Sequence, residues 1–241
     1  FSLDLQNFYT SYVTDMYSMF SHCSNLIEIK YKTFNTANVK DMSYMFDHCT
    51  KIKNLEIINV FDTKNVEYME YMFASCSIIE KLDLSNFDTK NVEYMNNMFE
   101  FNSALKTLNI NNFDTSQVIT MDYMFKYCSG LKSIDLSNFN TRSLLSMKGM
   151  FQSCQEFRNI DLSNFNTQNV LDMSNLFENC YELTSLQISN FNTSQVTDMS
   201  GMFSHCSNLK SLNLNNFDTK EVIDISGMFN NCEELEILNI K

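Results

Sequence analysis

Eight cysteines, three histidines and a column of carboxylates are the side chains of this chain whose types and spacing could do chemistry. The cysteines are Cys23, Cys49, Cys76, Cys128, Cys154, Cys180, Cys206 and Cys232, one at a fixed place in each of eight repeats. An even number invites a disulfide framework, and four thiolates meeting at a point would hold zinc. If each thiol sits on its own short helix, neither happens. Packed helices lie about 8–10 Å apart, whereas a disulfide needs Cα atoms within roughly 7 Å. The expectation is a buried column of free thiols behaving as small hydrophobes. His22, His48 and His205 each precede a cysteine. Only two of them fall in adjacent repeats, so neither a metal site nor a triad is expected. Asp62, Asp88, Asp114 and Asp218 share a column with Asn35, Asn140, Asn166 and Asn192. Calcium needs six to eight converging oxygens. Free exchange of Asp for Asn suits a turn better, because both close the same local bond. With four glycines there is no glycine-rich phosphate loop. The chain is expected to be no enzyme, with no catalytic residue, no cofactor and no metal.

One cluster suggests contact rather than chemistry. Tyr44, Tyr68, Tyr71, Tyr94, Tyr123 and Tyr127 gather in repeats two to five, with Glu67, Glu70 and Glu93 among them. Later repeats fill the same columns with Ser, Gly and Asn. Surface tyrosine concentrated in one place is what partner-contact surfaces show. The plainer alternative is a ring flanking the core with its hydroxyl in water.

The elements that carry these columns come from a repeat. The Phe of a Met-Phe or Leu-Phe pair falls at Phe20, Phe46, Phe73, Phe99, Phe125, Phe151, Phe177, Phe203 and Phe229. Every gap is 26 residues except one of 27. A fixed period of this size marks a solenoid, in which each repeat buries its apolar face on its neighbours. Within one repeat, Leu186 and Ile188 flank Gln187, the period of two of a short strand. Asn192 and Thr193 mark a turn. Val196, Met199, Met202, Phe203 and Cys206 follow at helical offsets, so the second half is expected to be a short helix, capped by Thr193 or Thr197. The expected fold class is α/β, a leucine-rich-repeat-like solenoid with a parallel sheet on the concave side and short helices on the convex side. A parallel β-helix is the rival and ranks lower, because it would lack the helical offsets. All 16 methionines lie in the Met-x-x-Met-Phe motif and exchange only with Ile225 and Leu176, which reads as core. The single extra residue, around Ile58, Asn59 and Val60, predicts a bulge. Asn102 takes the place of a ninth cysteine, and a buried amide there needs hydrogen-bond partners.

Composition bounds the partners. Hydrophobic residues make up 44% of 241, enough for a core, and the net charge is −12. Lys and Arg are few and never run together, which leaves no nucleic-acid footprint. No stretch is long and apolar enough for a spanning helix. Residues 1–241 are expected to form a single solenoid of about nine 26-residue repeats, part of a longer chain. The strand face, from Glu28, Lys30 and Lys32 through Lys81 and Asp83 to Asn213, is polar and carries no aromatic anchor. Concave faces are the usual binding surface of solenoids, so a binding face and a solvated sheet face are equal readings of it, and the choice between it and the tyrosines stays open.

The recurring pattern L-x-x-L-x-L-x-N-F-[DN]-T-x-x-V-x-x-M-x-x-M-F-x-x-C resembles the BspA-like leucine-rich repeats of bacterial and protist surface proteins. NFDTKNVEYMNNMF (Asn86 to Phe99) and NFNTSQVTDMSGMF (Asn190 to Phe203) are the segments that match it. The likeness spans the chain. It implies a surface or secreted protein that attaches to a host surface protein, a matrix protein or another copy of itself. It brings no catalytic residues. The residues alone support a binding surface without chemistry. The alternative is a structural module that self-associates or scaffolds a complex.

Overall fold

Each unit of 26 residues, or 27 in one case, closes into one coil of a stack of short segments, and nine such coils follow one another. The structure, a computed structural model, describes residues 1–240. Two backbone ladders run along the stack. The first is built from three-residue strands paired in parallel: β1 (Ser2–Asp4) with β2 (Glu28–Lys30), β3 (Lys81–Asp83) with β4 (Thr107–Asn109), β5 (Asn159–Asp161) with β6 (Ser185–Gln187), and β7 (Ser211–Asn213) with β8 (Ile237–Asn239). In register, Leu82 faces Leu108 and Ile160 faces Leu186. The second ladder has no break. Single bridges join Asp15 to Asp41, Asp41 to Tyr68, Tyr68 to Tyr94, and onward to Asp224.

The first ladder is four separate strand pairs, and the extra residue falls in one of the gaps between them. Glu56–Val60 form a 3₁₀ turn with Ile57 and Ile58 buried, in place of a strand. The second ladder continues past it, so the insertion is absorbed on one side of the coil only.

The short helices on the convex side do not form: no α-helix occurs among the described residues. The reason lies in the backbone. Each coil holds two residues with positive φ four positions apart, such as Tyr44 at 59° and His48 at 57°, or Gly201 at 61° and His205 at 60°. A right-handed helix cannot pass through a left-handed residue every turn. The chain instead makes overlapping turns. In coil two, the N–H groups of Met45, Asp47 and Cys49 donate to the carbonyls of Met42, Tyr44 and Phe46. The alternate N–H groups of Met42, Tyr44, Phe46 and His48 donate to the next coil, at Tyr68, Glu70, Met72 and Ala74. Turns of this kind put Met, Met-Phe and Cys inward at offsets of 3, 4 and 7, which is why they imitate a helical stripe. The β-helix rival describes this half of the coil better. Neither Thr193 nor Thr197 caps a helix.

The core is a set of identical side chains stacked on themselves. Phe46, Phe73, Phe99 and Phe125 are fully buried, with successive rings 5.7–5.9 Å apart and nearly parallel. Truncating one such Phe to Ala costs about 3–5 kcal/mol. The threonine of the Asn/Asp-Thr pair is buried and ties coil to coil. Thr36 Oγ1 accepts the N–H of Asp62 at 2.8 Å and donates to its carbonyl at 3.0 Å. Thr63, Thr115 and Thr193 donate to the next coil's carbonyl in the same way. All eight cysteines are free. Distance does not keep them so, since coils joined by backbone hydrogen bonds lie about 4.8 Å apart, not at helix spacing. Every thiol but that of Cys23 in the first coil is committed instead to a carbonyl of the previous coil, as Cys49 is to Phe20 and Cys154 to Phe125. Burial pushes the Cys49, Cys128 and Cys180 thiols up to about 12. Asn102 reproduces that bond. Its Nδ2 donates to Phe73 O at 2.8 Å and to Phe99 O at 2.9 Å, but its Oδ1 has no partner.

Candidate contact surface

Asx turns account for most of the carboxylate columns. Asp62, Asp88 and Asp114, like Asn140 and Asn192, accept the N–H of the residue two places on. Asp83, Asp135, Asp161 and Asn213 on the strand face do the same. Hydrogen bonds from the Ser137 and Ser163 hydroxyls and N–H groups hold Asp135 and Asp161 below the usual carboxylate range. These oxygens close local turns, so the strand face presents side chains already committed to their own backbone.

The tyrosines are different, because nothing in the coil requires them. Tyr44, Tyr71 and Tyr123 occupy the first left-handed position of their coils, at φ of 59°, 55° and 57°. Coil one places Ser18 there, and the other five place Asn97, Asn175, Gly149, Gly201 and Gly227, residues that adopt this region at little cost. A tyrosine there carries about 1–2 kcal/mol of backbone strain. Gly149 is needed for a second reason: a Cβ on it would lie 2.5 Å from the Tyr123 ring.

The rings lie in a band of three columns, half-buried apart from the exposed Tyr17 and Tyr127. Tyr44 and Tyr71 stack at 4.5 Å with planes 11° apart, and Tyr17 leans on Tyr44 at 5.4 Å. Tyr68 and Tyr94 stack at 5.5 Å along the bridge ladder. Tyr127 lies in a separate column, the second left-handed one, stacked on Phe101 at 4.7 Å. His48, Ser75, Phe101 and Tyr127 line a shallow groove there. Burial first, and then the neighbouring Tyr44 and Glu100, push the Tyr71 phenol up to about 12.

Charge surrounds the band. Glu67 pairs with Lys40 at 2.8 Å, and Glu70 accepts the Ser43 hydroxyl at 3.0 Å. Glu100 is buried. It pairs with Lys126 at 3.0 Å and accepts Nδ2 of Asn97 at 2.7 Å. Lys126 Nζ lies 4.6 Å from the Tyr123 ring centre and 5.6–5.7 Å from Phe101 and Tyr127, within cation–π reach of all three. Tyr17, Phe101, Glu100 and Lys126 thus join the surface, and the sequence reading omitted them. Phe101 was findable, since it stands 26 residues before Tyr127. Loss of solvation first, and then the charges of Glu67 and Glu93, push the Tyr68 phenol up.

His22 and His48 come closer than helix spacing allowed. Their rings stack at 4.4 Å, and His48 Nδ1 lies 2.7 Å from Asp47 Oδ1. No helix of the described residues is long and apolar enough to cross a membrane.

The family described as "Mycoplasma protein of unknown function, DUF285" matches residues 1–81, 78–182 and 146–240. No curated protein matches the chain. Among solved structures, a leucine-rich cell surface protein of Faecalibacterium prausnitzii is 14% identical, with a TM-score of 0.40 over 100% of this chain and 83% of that one. A leucine-rich repeat protein of Bacteroides ovatus is 13% identical, with a TM-score of 0.42 over 100% and 73%. The leucine-rich repeat protein of T. pallidum is 16% identical, with a TM-score of 0.38 over 82% and 72%.

Proposed function

The chain belongs to the family described as "Mycoplasma protein of unknown function, DUF285", and we propose that it is a non-catalytic protein-recognition module whose tyrosine and carboxylate band binds a cationic partner. One observation carries the reading. Tyr44, Tyr71 and Tyr123 sit in strained left-handed positions that Asn or Gly fills in five of the other six coils and Ser18 in the sixth. Strain held where an easier residue serves the fold points to a use for the side chain. Tyrosine supplies rigid contact area at interfaces. Glu67, Glu70 and Glu93 beside the rings, and a net charge of −12, favour lysine- and arginine-rich partners and steer them in. The same carboxylates oppose pairing of the band with its own copy, which weighs against the self-assembly alternative.

Resemblance to BspA-like repeats gives the setting: part of a cell-surface or secreted protein, with attachment as its task. Absence of enzyme activity is part of the proposal and rests on the local commitment of the carboxylates, thiols and threonines described above.

A labelled lysine-rich peptide and its glutamate-rich counterpart test the reading by fluorescence anisotropy. The lysine peptide should bind the native chain, and binding should fall at least tenfold in the Tyr68→Ser, Tyr71→Ser, Tyr94→Ser variant, whose net charge is unchanged. Equal binding by the variant would reduce the interaction to bulk charge and remove the band from consideration. Light scattering over a concentration series separates the assembly alternative, which requires growth of defined oligomers.

A further inference from the structure

The fold brings three metal-ligating side chains to one point on its first two coils. His22, Asp47 and His48 each offer a ligand atom, and these atoms lie within 4.8 Å of one another. Asp47 is the unusual member. Its carboxylate is buried, 5% exposed, and its ion-pair partners are the two imidazoles: His48 Nδ1 at 2.7 Å and His22 Nε2 at 3.7 Å. Other coils place Ser21, Ala74 and Ser204 at this position, so the coil itself asks for no charge there. In the fourth and fifth coils the same column holds Glu100 and Lys126, which satisfy each other. Asp47 has no such permanent cation. Buried charges in proteins are paired or coordinate metals.

We propose that His22, Asp47 and His48 form a three-ligand site for a divalent transition ion of the zinc class, bridging coils one and two. Imidazole and carboxylate together suit Zn²⁺, Ni²⁺ and Cu²⁺ over Mg²⁺ or Ca²⁺. Bonds of about 2.0–2.1 Å place two ligands of a tetrahedral ion roughly 3.4 Å apart. The 3.7 Å gap between His22 Nε2 and Asp47 Oδ2 already brackets such an ion. The imidazoles are 71% and 49% exposed, and completing the set takes a turn of the two rings out of their 4.4 Å stack. Three ligands leave a coordination position open, at the end of the shallow groove that His48 shares with Phe101 and Tyr127.

Calorimetric titration of the chelator-treated chain with ZnCl₂ tests the site, with Co²⁺ as a spectroscopic probe. The expected result is one equivalent bound, at least tenfold weaker in His22→Asn, His48→Asn and Asp47→Asn, and unchanged in His205→Asn. Asn179 and Asn231 hold the same left-handed position as the two histidines, so the histidine variants keep the fold, and an unchanged melting profile without metal checks this. Cobalt should give a visible spectrum without an intense thiolate band. Absence of binding, binding unaffected by the substitutions, or a thiolate band that points to the half-buried Cys23 would each overturn the proposal.

Discussion

Replacing Tyr71 by Asn separates a ring kept for the fold from a ring kept for contact. The substitution relieves about 1–2 kcal/mol of left-handed strain, because Asn visits this region routinely. It removes the stack on Tyr44, 4.5 Å away, worth about 0.5–1.5 kcal/mol. It also exposes part of a half-buried ring, which at roughly 25 cal/mol per Å² adds a similar cost. The terms nearly cancel, so Tyr71→Asn should move the unfolding free energy by less than about 1 kcal/mol. Tyr71→Ala loses the same contacts but lacks the short polar side chain whose local hydrogen bond lets Asn hold the left-handed region, so it should be less stable than Asn by about 1 kcal/mol. Phe73→Ala, two residues on in the core, sets the scale at about 3–5 kcal/mol. Urea denaturation of the three variants gives the order, and lysine-peptide anisotropy on the same samples gives the contact. If Asn and Ala are equally destabilised, strain is not what the tyrosine bears. If Asn costs as much as Phe73→Ala, the ring is structural and the reasoning fails.

Three further outcomes are expected. Asn102→Cys should be neutral or up to about 1 kcal/mol stabilising in thermal melts, since it removes a buried oxygen without a partner, and the thiols of the neighbouring coils make the equivalent bond, Cys76 to Phe46 O and Cys128 to Phe99 O; a clear loss of stability would mean the slot is built differently. Lys126→Ala should cost on the order of 2 kcal/mol, because it leaves Glu100 buried without its cation, and adding Glu100→Gln should recover part of the loss. Asp83, Asp114, Asp135, Asp161, Asp218 and Asp224 have carboxyls held below 3.8 by hydrogen bonds within their turns. A lowered folded value means stability that is present above about pH 4 and lost as pH falls through the folded value. Melting temperature should therefore drop below pH 4, and Asp83→Asn, which copies Asn109 of the next coil, should flatten its share of that drop.

The sequence disclosed the period, the strand half and the core directly, because identical residues at a fixed spacing can bury themselves only by stacking. Leu82, Phe87, Met95 and Phe99 are all buried in the columns where periodicity put them. The Asp/Asn column was legible as turns for the same reason, since its exchange pattern follows a local bond. The helix was a misreading with an identifiable cause. Met, Met-Phe and Cys at offsets of 3, 4 and 7 fit a helix and a chain of turns equally well, and only the intervening residues distinguish them. Gly149, Gly201 and Gly227, with Asn97 and Asn175 in the same column, were the available sign of a left-handed position. Assuming helix spacing then pushed His22 away from His48 and the thiols away from one another. The stacking of Tyr44 on Tyr71 needed only their shared column, whereas the buried Glu100–Lys126 pair and the Asp47 cluster needed the true distance between coils.

The threonine and phenylalanine ladders give every junction between coils the same chemistry. Thr63 meets Asp88 as Thr193 meets Asp218, and Phe73 meets Phe99 as Phe177 meets Phe203. A whole coil can be gained or lost by unequal recombination without presenting its neighbours with an unfamiliar surface. The reach of such a chain is then a heritable length, adjusted in steps of about 4.8 Å. Whatever a few coils display locally, as coils two to five display their tyrosines, can be shifted along the stack without being redesigned.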